Sequence, residues 1–352
     1  MNENSSVSTK SPFLSKIFII LLIIFGFFTT FTSGYFVSHL LSSEQTKPPV
    51  STTASPTYSN PVFSEDSTKF LPGKLYFEDT IMLITKDIPH IVLVATVTRS
   101  QQDIDYYQNT RISYYDGNMW TRQSDTKVSS DSAIVANSLI KNWKVEIDPS
   151  RVLKQSVQGT TKVNNTDLGF STNVLQNEIS IRSLPGYTKF MSNGNGMLTV
   201  NGKTHQAYIL YTRIYSLNAS DIQFYSQPFG VKTDWIAFWD TQGNFYHIDA
   251  TQVDNPTRIY QTHKIGVMED AYGSVSKTFE LAIKRDSKNP PVIYDVTMDN
   301  PVGVVLHFNR VNSLNKSPNN SFIWYLGLIE GTAQKLNGKD IPGVGLAEYI
   351  FD

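Results

Sequence analysis

The feature that most constrains the fold is a succession of short runs with β-strand character, each bounded by residues that favour turns. Beyond residue 69, runs rich in Val, Ile, Thr and aromatic residues recur up to the C-terminus, and several alternate apolar with polar side chains. No segment there shows the 3.6-residue period of a long helix. Many short strands separated by close turns are typical of antiparallel sandwiches and barrels. We therefore predict an all-β fold.

The runs differ in how they are delimited, and one segment carries a weaker, helical pattern. An Asp-Gly pair divides one run into a hairpin, and Gln-Gly-Asn divides another. A short helix is predicted only over 130–143. Strands are predicted over 90–99, 110–122, 142–148, 177–184, 234–253, 277–284 and 302–311.

A repeated hairpin signal predicts two similar lobes. Asn-Gly-Lys occurs between β-type runs at 201–203 and again at 337–339. A barrel needs its last strand to remove an exposed edge. We expect each late hairpin to close one lobe, with the boundary between the lobes near 226–233.

Composition excludes several classes of function. A chain of 352 residues suits two domains of ordinary size. A net charge of −1 argues against nucleic acid as a partner. The absence of cysteine excludes disulfides, thiolate metal sites and a cysteine nucleophile. No phosphate-binding loop, dinucleotide fingerprint or His-Glu-x-x-His motif is present, so we expect no cofactor and no metal.

The N-terminal segment predicts a membrane anchor. Residues 17–37 carry no charge and, at about 1.5 Å per residue, would span one bilayer core. Lys10 and Lys16 precede this run, so we expect a cytoplasmic N-terminus (1–16), a single-pass signal anchor (17–38) and an extracytoplasmic remainder. A cleaved signal peptide, cut near Ser33-Gly34, is the alternative and leads to secretion. Residues 39–68 are rich in Ser, Thr and Pro and predict an extended linker.

The C-terminal sequence resembles the closing signature of the carotenoid 1,2-hydratase (hydroxyneurosporene synthase) family, which includes secreted lipocalin-like proteins regarded as hydrolases. The segments 234–253 and 272–299 are similar to the strands that precede that signature. The resemblance implies two tandem antiparallel lipocalin-like β-barrels, over 69–230 and 231–352. Its matching residues are Glu330, Gly331, Gly338, Gly343, Gly345, Glu348 and Tyr349.

One departure from the family bears on catalysis. Family enzymes carry an acidic motif shortly after the turn glycine of the first lobe, where this chain has 207–216. No Asp, Glu or His occurs between His205 and Asp221. Acid catalysis needs a proton donor within reach of the reacting carbon. The simplest inference is that the family chemistry is lost, and no catalytic residue is assigned.

Six residues are candidates for binding a ligand, each with a structural alternative. Trp235 and Trp239 share one strand face and would form a pocket wall or ordinary core. His247 lies on the face of Phe245 and Asp249, too few ligands for a metal site. Glu348 would place a polar group at a cavity end or pair internally. Tyr211 and Arg213 stand where the family has acids, and Arg213 would meet an anionic group of the ligand or an internal partner.

Three functions remain open at this stage. The first is a membrane-anchored, extracytoplasmic protein that binds a small apolar or amphipathic ligand, such as a lipid or isoprenoid. The second is a hydratase, isomerase or hydrolase with acids relocated to Glu348, Asp249 or Asp240. The third is a ligand-free structural or adhesive surface protein with filled barrels.

Overall fold

A computed structural model describes twelve parts of the chain. The predicted anchor, the linker and the inter-lobe segment 217–230 lie outside them. No helix capable of crossing a bilayer occurs within the described parts. These parts are 76–102, 105–129, 139–147, 155–173, 175, 179–184, 187–216, 231–253, 262–288, 290–316, 323–335 and 338–351.

The fold is all-β and consists of two antiparallel, barrel-like sheets that follow one another in the chain. The path through each sheet passes through nine strands. The first sheet has the order β4-β3-β2-β1-β10-β9-β7-β6-β5, with β8 paired to β9 off this path. Its strands are β1 (Tyr76–Thr85), β2 (Val92–Gln102), β3 (Asp105–Tyr115), β4 (Trp120–Ser129), β5 (Ile140–Ile147), β6 (Gln155–Val163), β7 (Thr166–Thr172), β8 (Ile179–Leu184), β9 (Tyr187–Val200) and β10 (Lys203–Ser216).

The second sheet repeats the arrangement with the order β14-β13-β12-β11-β19-β18-β17-β16-β15. In both sheets the last strand pairs with the first. The strands are β11 (Val231–Asp240), β12 (Phe245–Val253), β13 (His263–Glu269), β14 (Val275–Thr278), β15 (Leu281–Arg285), β16 (Ile293–Met298), β17 (Val304–Asn315), β18 (Ile323–Lys335) and β19 (Asp340–Phe351).

The late hairpins join each barrel to its own first strand, as expected. β10 pairs with β9 and β1, and β19 pairs with β18 and β11. The first turn is a two-residue turn with positive φ at Asn201 (48°) and Gly202 (83°). The second is longer, because the last ladder pair is Gln334 with Asp340. The two Asn-Gly pairs therefore lie between equivalent pairs of strands, but the two turns differ in length.

Two local predictions were wrong. The run 277–284 is not one strand, because the chain turns at 279–280 between β14 and β15. There the Thr278 hydroxyl donates to the Glu280 carbonyl and accepts the Glu280 N–H. The segment 130–143 does not end as a helix, since β5 begins at Ile140. A register shift after Lys141 and a positive φ at Asn142 (53°) bend that strand.

Side-chain alternation divides the apolar residues into three buried groups. One lies inside the first barrel, around Ile81, Leu93 and Phe170. Another lies inside the second barrel, around Phe238, Val296 and Phe308. The third combines outward-facing residues of both barrels and forms the interface between them. The two barrels therefore pack through the outer faces of β1, β2, β9 and β10 on one side and β11–β13, β18 and β19 on the other.

Candidate functional site

The six predicted ligand-binding residues lie in two separate places. Tyr211 and Arg213 point into the first barrel, whereas the other four lie on the outer face of the second barrel, towards the first. The strand register explains the second group. Trp235 pairs with Asp249 on β12 and with Glu348 on β19, so these three residues form a row across adjacent strands.

Tyr211 and Arg213 share one internal partner, Asp79 of β1. Asp79 has no solvent exposure, and Arg213 Nε donates to it at 2.8 Å. A second guanidinium hydrogen bond of 3.3 Å and a hydrogen bond from the Tyr211 hydroxyl complete its surroundings. The cation at position 213 therefore has an internal anion, the structural alternative considered for it. No acidic residue of β10 lies beside Arg213, and the carboxylate comes from Asp79 on the neighbouring strand β1.

A continuous series of aromatic rings crosses the interface, and we call it the aromatic ladder. Trp235 contacts His247 edge-on, with ring centroids 5.2 Å apart. His247 stacks on Phe245 at 6.4 Å, and Phe245 lies 5.0 Å from Trp239. Trp239 then stacks on Tyr208 of the first barrel at 5.7 Å and 14°. The ladder is defined by these five residues and links the outer faces of both barrels.

Some buried nitrogen atoms at this interface have no hydrogen-bond partner among the described residues. They are Nε2 of His247 and the indole Nε1 atoms of Trp239 and Trp120. Trp120 packs against the interface cluster from the first barrel. Buried polar groups in folded proteins are nearly always paired. The ladder thus combines an apolar surface with one bare acceptor, on His247, and one bare donor, on Trp239, and Trp120 adds a further donor at the interface.

One end of the ladder meets a group of charges that joins the barrels. Lys189 of the first barrel contacts Asp249 of the second, Nζ to Oδ2 at 2.6 Å. His263 Nε2 lies 2.9 Å from the other oxygen of the same carboxylate. Lys189, Asp249 and His263 are 12%, 5% and 18% exposed, so the group borders solvent without being open to it.

A second charged group lies beside the first, around Glu348. Lys316 Nζ is 2.5 Å from Glu348 Oε1, and the Trp324 indole N–H donates to the same oxygen at 2.6 Å. Arg111 of the first barrel lies over the Trp324 ring at 6.0 Å and donates to Glu78 at 3.2 Å. Charges of both barrels therefore alternate in sign along this end of the interface.

The surroundings keep the two carboxylates ionised. Burial alone would raise the pKa of Asp249, but Lys189 and His263 hold it well below its ordinary value. Burial likewise opposes ionisation of Glu348, yet Lys316 and Trp324 hold its pKa below the ordinary value. A carboxylic acid that donates a proton near neutral pH needs the opposite shift. Neither residue has the pKa of a general acid.

His247 is the opposite case, a titratable ring kept neutral. It is 1% exposed, and burial lowers its pKa to about 3, while Asp249 opposes that change. Asp240, a further candidate for a relocated acid, holds the 241–244 turn. Its carboxylate accepts from the backbone N–H of Asn244 at 3.0 Å and from the Tyr246 hydroxyl at 2.9 Å.

Sequence reasoning missed the partners contributed from other strands. Asp79 alternates with Ile81 and Leu83, and this pattern marks it as inward-facing. Lys189 and His263 carry no comparable signal, since each lies near a strand end; His263 meets Asp249 through the pairing of β13 with β12, and Lys189 meets it only through the packing of the barrels.

A shallow groove lies elsewhere, on the first barrel. Its volume is about 480 Å³, and it is lined by strand and turn residues such as Lys141, Thr160 and Asp167. None of the ladder residues or of the interface charges lines it, and most of its polar side chains, such as Lys141, Lys162 and Asp167, are exposed. The candidate site is therefore the interface between the barrels rather than this groove.

The arrangement of two barrels occurs in known structures. Neither a protein-family model nor a curated protein sequence matches the chain. Solved structures do match. A protein provisionally named AttH from Nitrosomonas europaea aligns with a TM-score of 0.53 and 13% identity, over 84% of this chain and 99% of that one. Kievitone hydratase from Nectria haematococca aligns with a TM-score of 0.52 and 12% identity, over 85% and 96%.

A third structure, CghA, has a TM-score of 0.50 and 10% identity, over 79% of this chain and 88% of its own. At such identities the likeness concerns the fold. The fold of this protein therefore resembles that of these structures, and this supports only loosely the carotenoid-hydratase-like fold expected from the closing signature.

Proposed function

We propose that this protein binds a small amphipathic molecule between its two barrels. The observation that carries the proposal is the aromatic ladder, where buried nitrogen atoms of His247 and Trp239 lack partners within the described parts of the chain and lie near a charged cluster. An apolar wall with a few unpaired polar groups is the usual composition of a small-molecule site. The barrel interiors support this location, because their inward-facing side chains pack against one another.

Each part of the interface has a role in this proposal. The rings of Trp235 and Trp239 cover the apolar part of the ligand, at about 25 cal/mol per Å² of apolar surface removed from water. Lys189, His263 and Lys316 lie at the charged end and orient a polar or anionic head group. The ladder is buried, so entry of a ligand requires the barrels to part at this interface.

The proposal includes a membrane location. The uncharged segment 17–38 and the Ser/Thr/Pro-rich segment 39–68 support a tether that holds both barrels outside the cytoplasm near lipid. A lipid or isoprenoid drawn from the bilayer would then be the natural ligand. Alkaline carbonate extraction of membranes tests this part, since a retained anchor stays in the pellet and a cleaved, secreted chain does not.

Photoaffinity labelling of the full-length chain tests the binding proposal. A farnesol analogue with a diazirine should label the β9–β13 strands, and mass spectrometry should locate the label. The double variant that carries Trp235→Leu and Trp239→Leu should no longer be labelled at these strands. Trp143→Phe, which changes a tryptophan inside the first barrel, should retain the label. Labelling confined to exposed loops, or equal labelling in all three proteins, would contradict the proposal.

A second candidate, a hydratase or isomerase activity, is favoured by one contact. Asp249 accepts from His263 at 2.9 Å, the geometry in which a carboxylate orients an imidazole for proton transfer. In this candidate His263 acts as acid or base, because the carboxylates themselves stay ionised. The test is turnover of an alkene or enol substrate by the wild-type protein and two variants. Loss of turnover in His263→Gln with retention in His307→Gln would support the enzymatic candidate over a protein that only binds its ligand.

A further inference from the structure

His247 is the group at the interface whose hydrogen-bonding role is best determined. Its Nδ1 lies 2.9 Å from the backbone carbonyl oxygen of Ile236. A carbonyl oxygen only accepts, so the proton resides on Nδ1 and Nε2 carries a lone pair. That Nε2 atom is buried and has no partner among the described residues.

The neighbouring rings hold the imidazole in one orientation. Trp235 contacts one side edge-on, and Phe245 stacks nearly parallel to the ring at 11°. The ring lies on the outer face of β12, towards the first barrel, and its strand neighbours are Ala237 and Val267. A lone pair at this position is therefore an acceptor directed into an otherwise apolar interface.

We infer that the ligand carries a hydroxyl group that donates a hydrogen bond to His247 Nε2. The inference rests on the proposed inter-barrel binding and narrows its ligand class to amphipathic alcohols or phenols. A neutral O–H donor fits, because the surrounding wall is aromatic and Glu269, the buried acid opposite Phe245 on this face, already accepts from Asn193 of the first barrel. Asp249, the nearest acid on the same strand face, is already paired with Lys189 and His263.

The groups that face His247 are consistent with a neutral donor. On its own strand these are Phe245 and Asp249, and on the adjoining strands they are Trp235, Ala237 and Val267, with Glu269 opposite Phe245 on the same face. Lys189 and His263 also lie close enough to affect its charge, and both already contact Asp249. Burial keeps the ring neutral near pH 7, so it offers an acceptor and no second charge. A buried acceptor left unpaired is costly, and a matching hydroxyl removes that cost.

The test compares an alcohol with its ether in the full-length protein. Farnesol and farnesyl methyl ether compete for labelling by the diazirine probe, and the ether lacks only the O–H donor. In the wild-type chain we expect farnesol to compete at a concentration roughly 3- to 10-fold lower than the ether, as one buried hydrogen bond allows. In His247→Phe the two should compete equally, and in His307→Phe, a partly exposed histidine elsewhere on the second barrel, the preference should persist.

Each outcome has a definite meaning. Equal competition in the wild type would overturn the inference while leaving inter-barrel binding intact, and it is also the result expected if Nε2 only ever binds water. Persistence of the preference in His247→Phe would overturn it as well. Absence of site-specific labelling would reject the binding proposal and this inference together. If His247→Phe does not fold, the wild-type comparison alone still decides between an O–H donor and none.

Discussion

Lys189 and Asp249 show how much of the site depends on single side chains. Each lies on the outer face of a different barrel, and their salt bridge of 2.6 Å crosses the boundary. Breaking a buried ion pair by removing one partner leaves an uncompensated charge, which is far more costly than losing a surface pair. His263 remains as the second partner of Asp249 and limits that cost.

Lys189→Met should therefore lower the free energy of unfolding by about 2–4 kcal/mol. Urea denaturation of the full-length protein measures this. Lys162→Met is the matched control, because Lys162 and its partner Asp167 are 59% and 72% exposed. The control should change stability by no more than about 0.5 kcal/mol. Equal effects of the two substitutions would show that the inter-barrel contact does not contribute.

The lowered pKa values of Asp249 and Glu348 predict a loss of stability in acid. A carboxyl group whose pKa is depressed by folding stabilises the protein above its unfolded pKa, and this contribution is lost as pH falls through the folded pKa. The free energy of unfolding should decline in two stages: below about pH 6.5, because the unfolded chain protonates His247 while burial keeps it neutral in the fold, and further below about pH 4, where the two carboxylates lose their contribution.

The substitution Asp249→Asn isolates one of these groups. Its stability difference from the wild type should be largest at neutral pH and shrink as acid protonates Asp249 in the wild type. Denaturant titrations between pH 3 and 7 measure it, with Asp167→Asn as the exposed control. A difference that is independent of pH would contradict the assignment.

At the level of elements, β19 owes its position to glycine. A Cβ atom at Gly345 would lie 2.1 Å from the Ala237 carbonyl oxygen, and one at Gly343 would lie 2.5 Å from the Phe238 ring. These glycines let β19 lie against β11 with the Phe238 side chain above it. The Gly-x-Gly of the closing signature is thereby explained by packing within the second barrel.

Gly345→Ala should destabilise the protein by about 2 kcal/mol or more, because backbone rather than a flexible side chain has to move. Gly169→Ala is the control on β7, where a Cβ would be in ordinary contact at 3.7 Å with Thr199. Thermal unfolding should separate the two variants clearly. A neutral Gly345→Ala would mean that β19 and β11 can separate without cost.

At the scale of the whole molecule, the interface makes the two barrels depend on each other. The shared cluster includes Met82, Val94 and Leu210 of the first barrel and Val267 and Leu346 of the second, all of them buried. Loss of either barrel would expose this surface on the other. The barrels should therefore unfold together.

We expect one transition in denaturant, coincident by far-ultraviolet circular dichroism and by tryptophan fluorescence. Leu346→Glu places a charge in the interface and should split the transition in two or shift it by several kcal/mol. Val311→Glu, at an outer position that is 52% exposed, should keep a single transition. Two separate transitions in the wild-type protein would show that the interface is too weak to couple the barrels.

Local sequence was sufficient for many of the strands, the turn at Gly202, the tandem arrangement and the faces shared by Trp235 with Trp239 and by His247 with Phe245 and Asp249. These features depend on the two-residue period of a strand and on turn chemistry, both of which act over a few residues. The break at 279–280 was missed because a short connection can interrupt a run of β-type residues without a glycine or proline.

Which charged residues pair with each other followed only from the tertiary structure. Asp79 lies 134 positions before Arg213, and Lys189 lies 60 before Asp249, so no local pattern relates the members of either pair. Electrostatic pairing depends on distance in space, and that distance follows from how the sheets curve and dock. For the same reason, the sequence predicted that Trp235 and Trp239 share a face, while their location between the barrels followed from which outer faces of the two sheets bury each other.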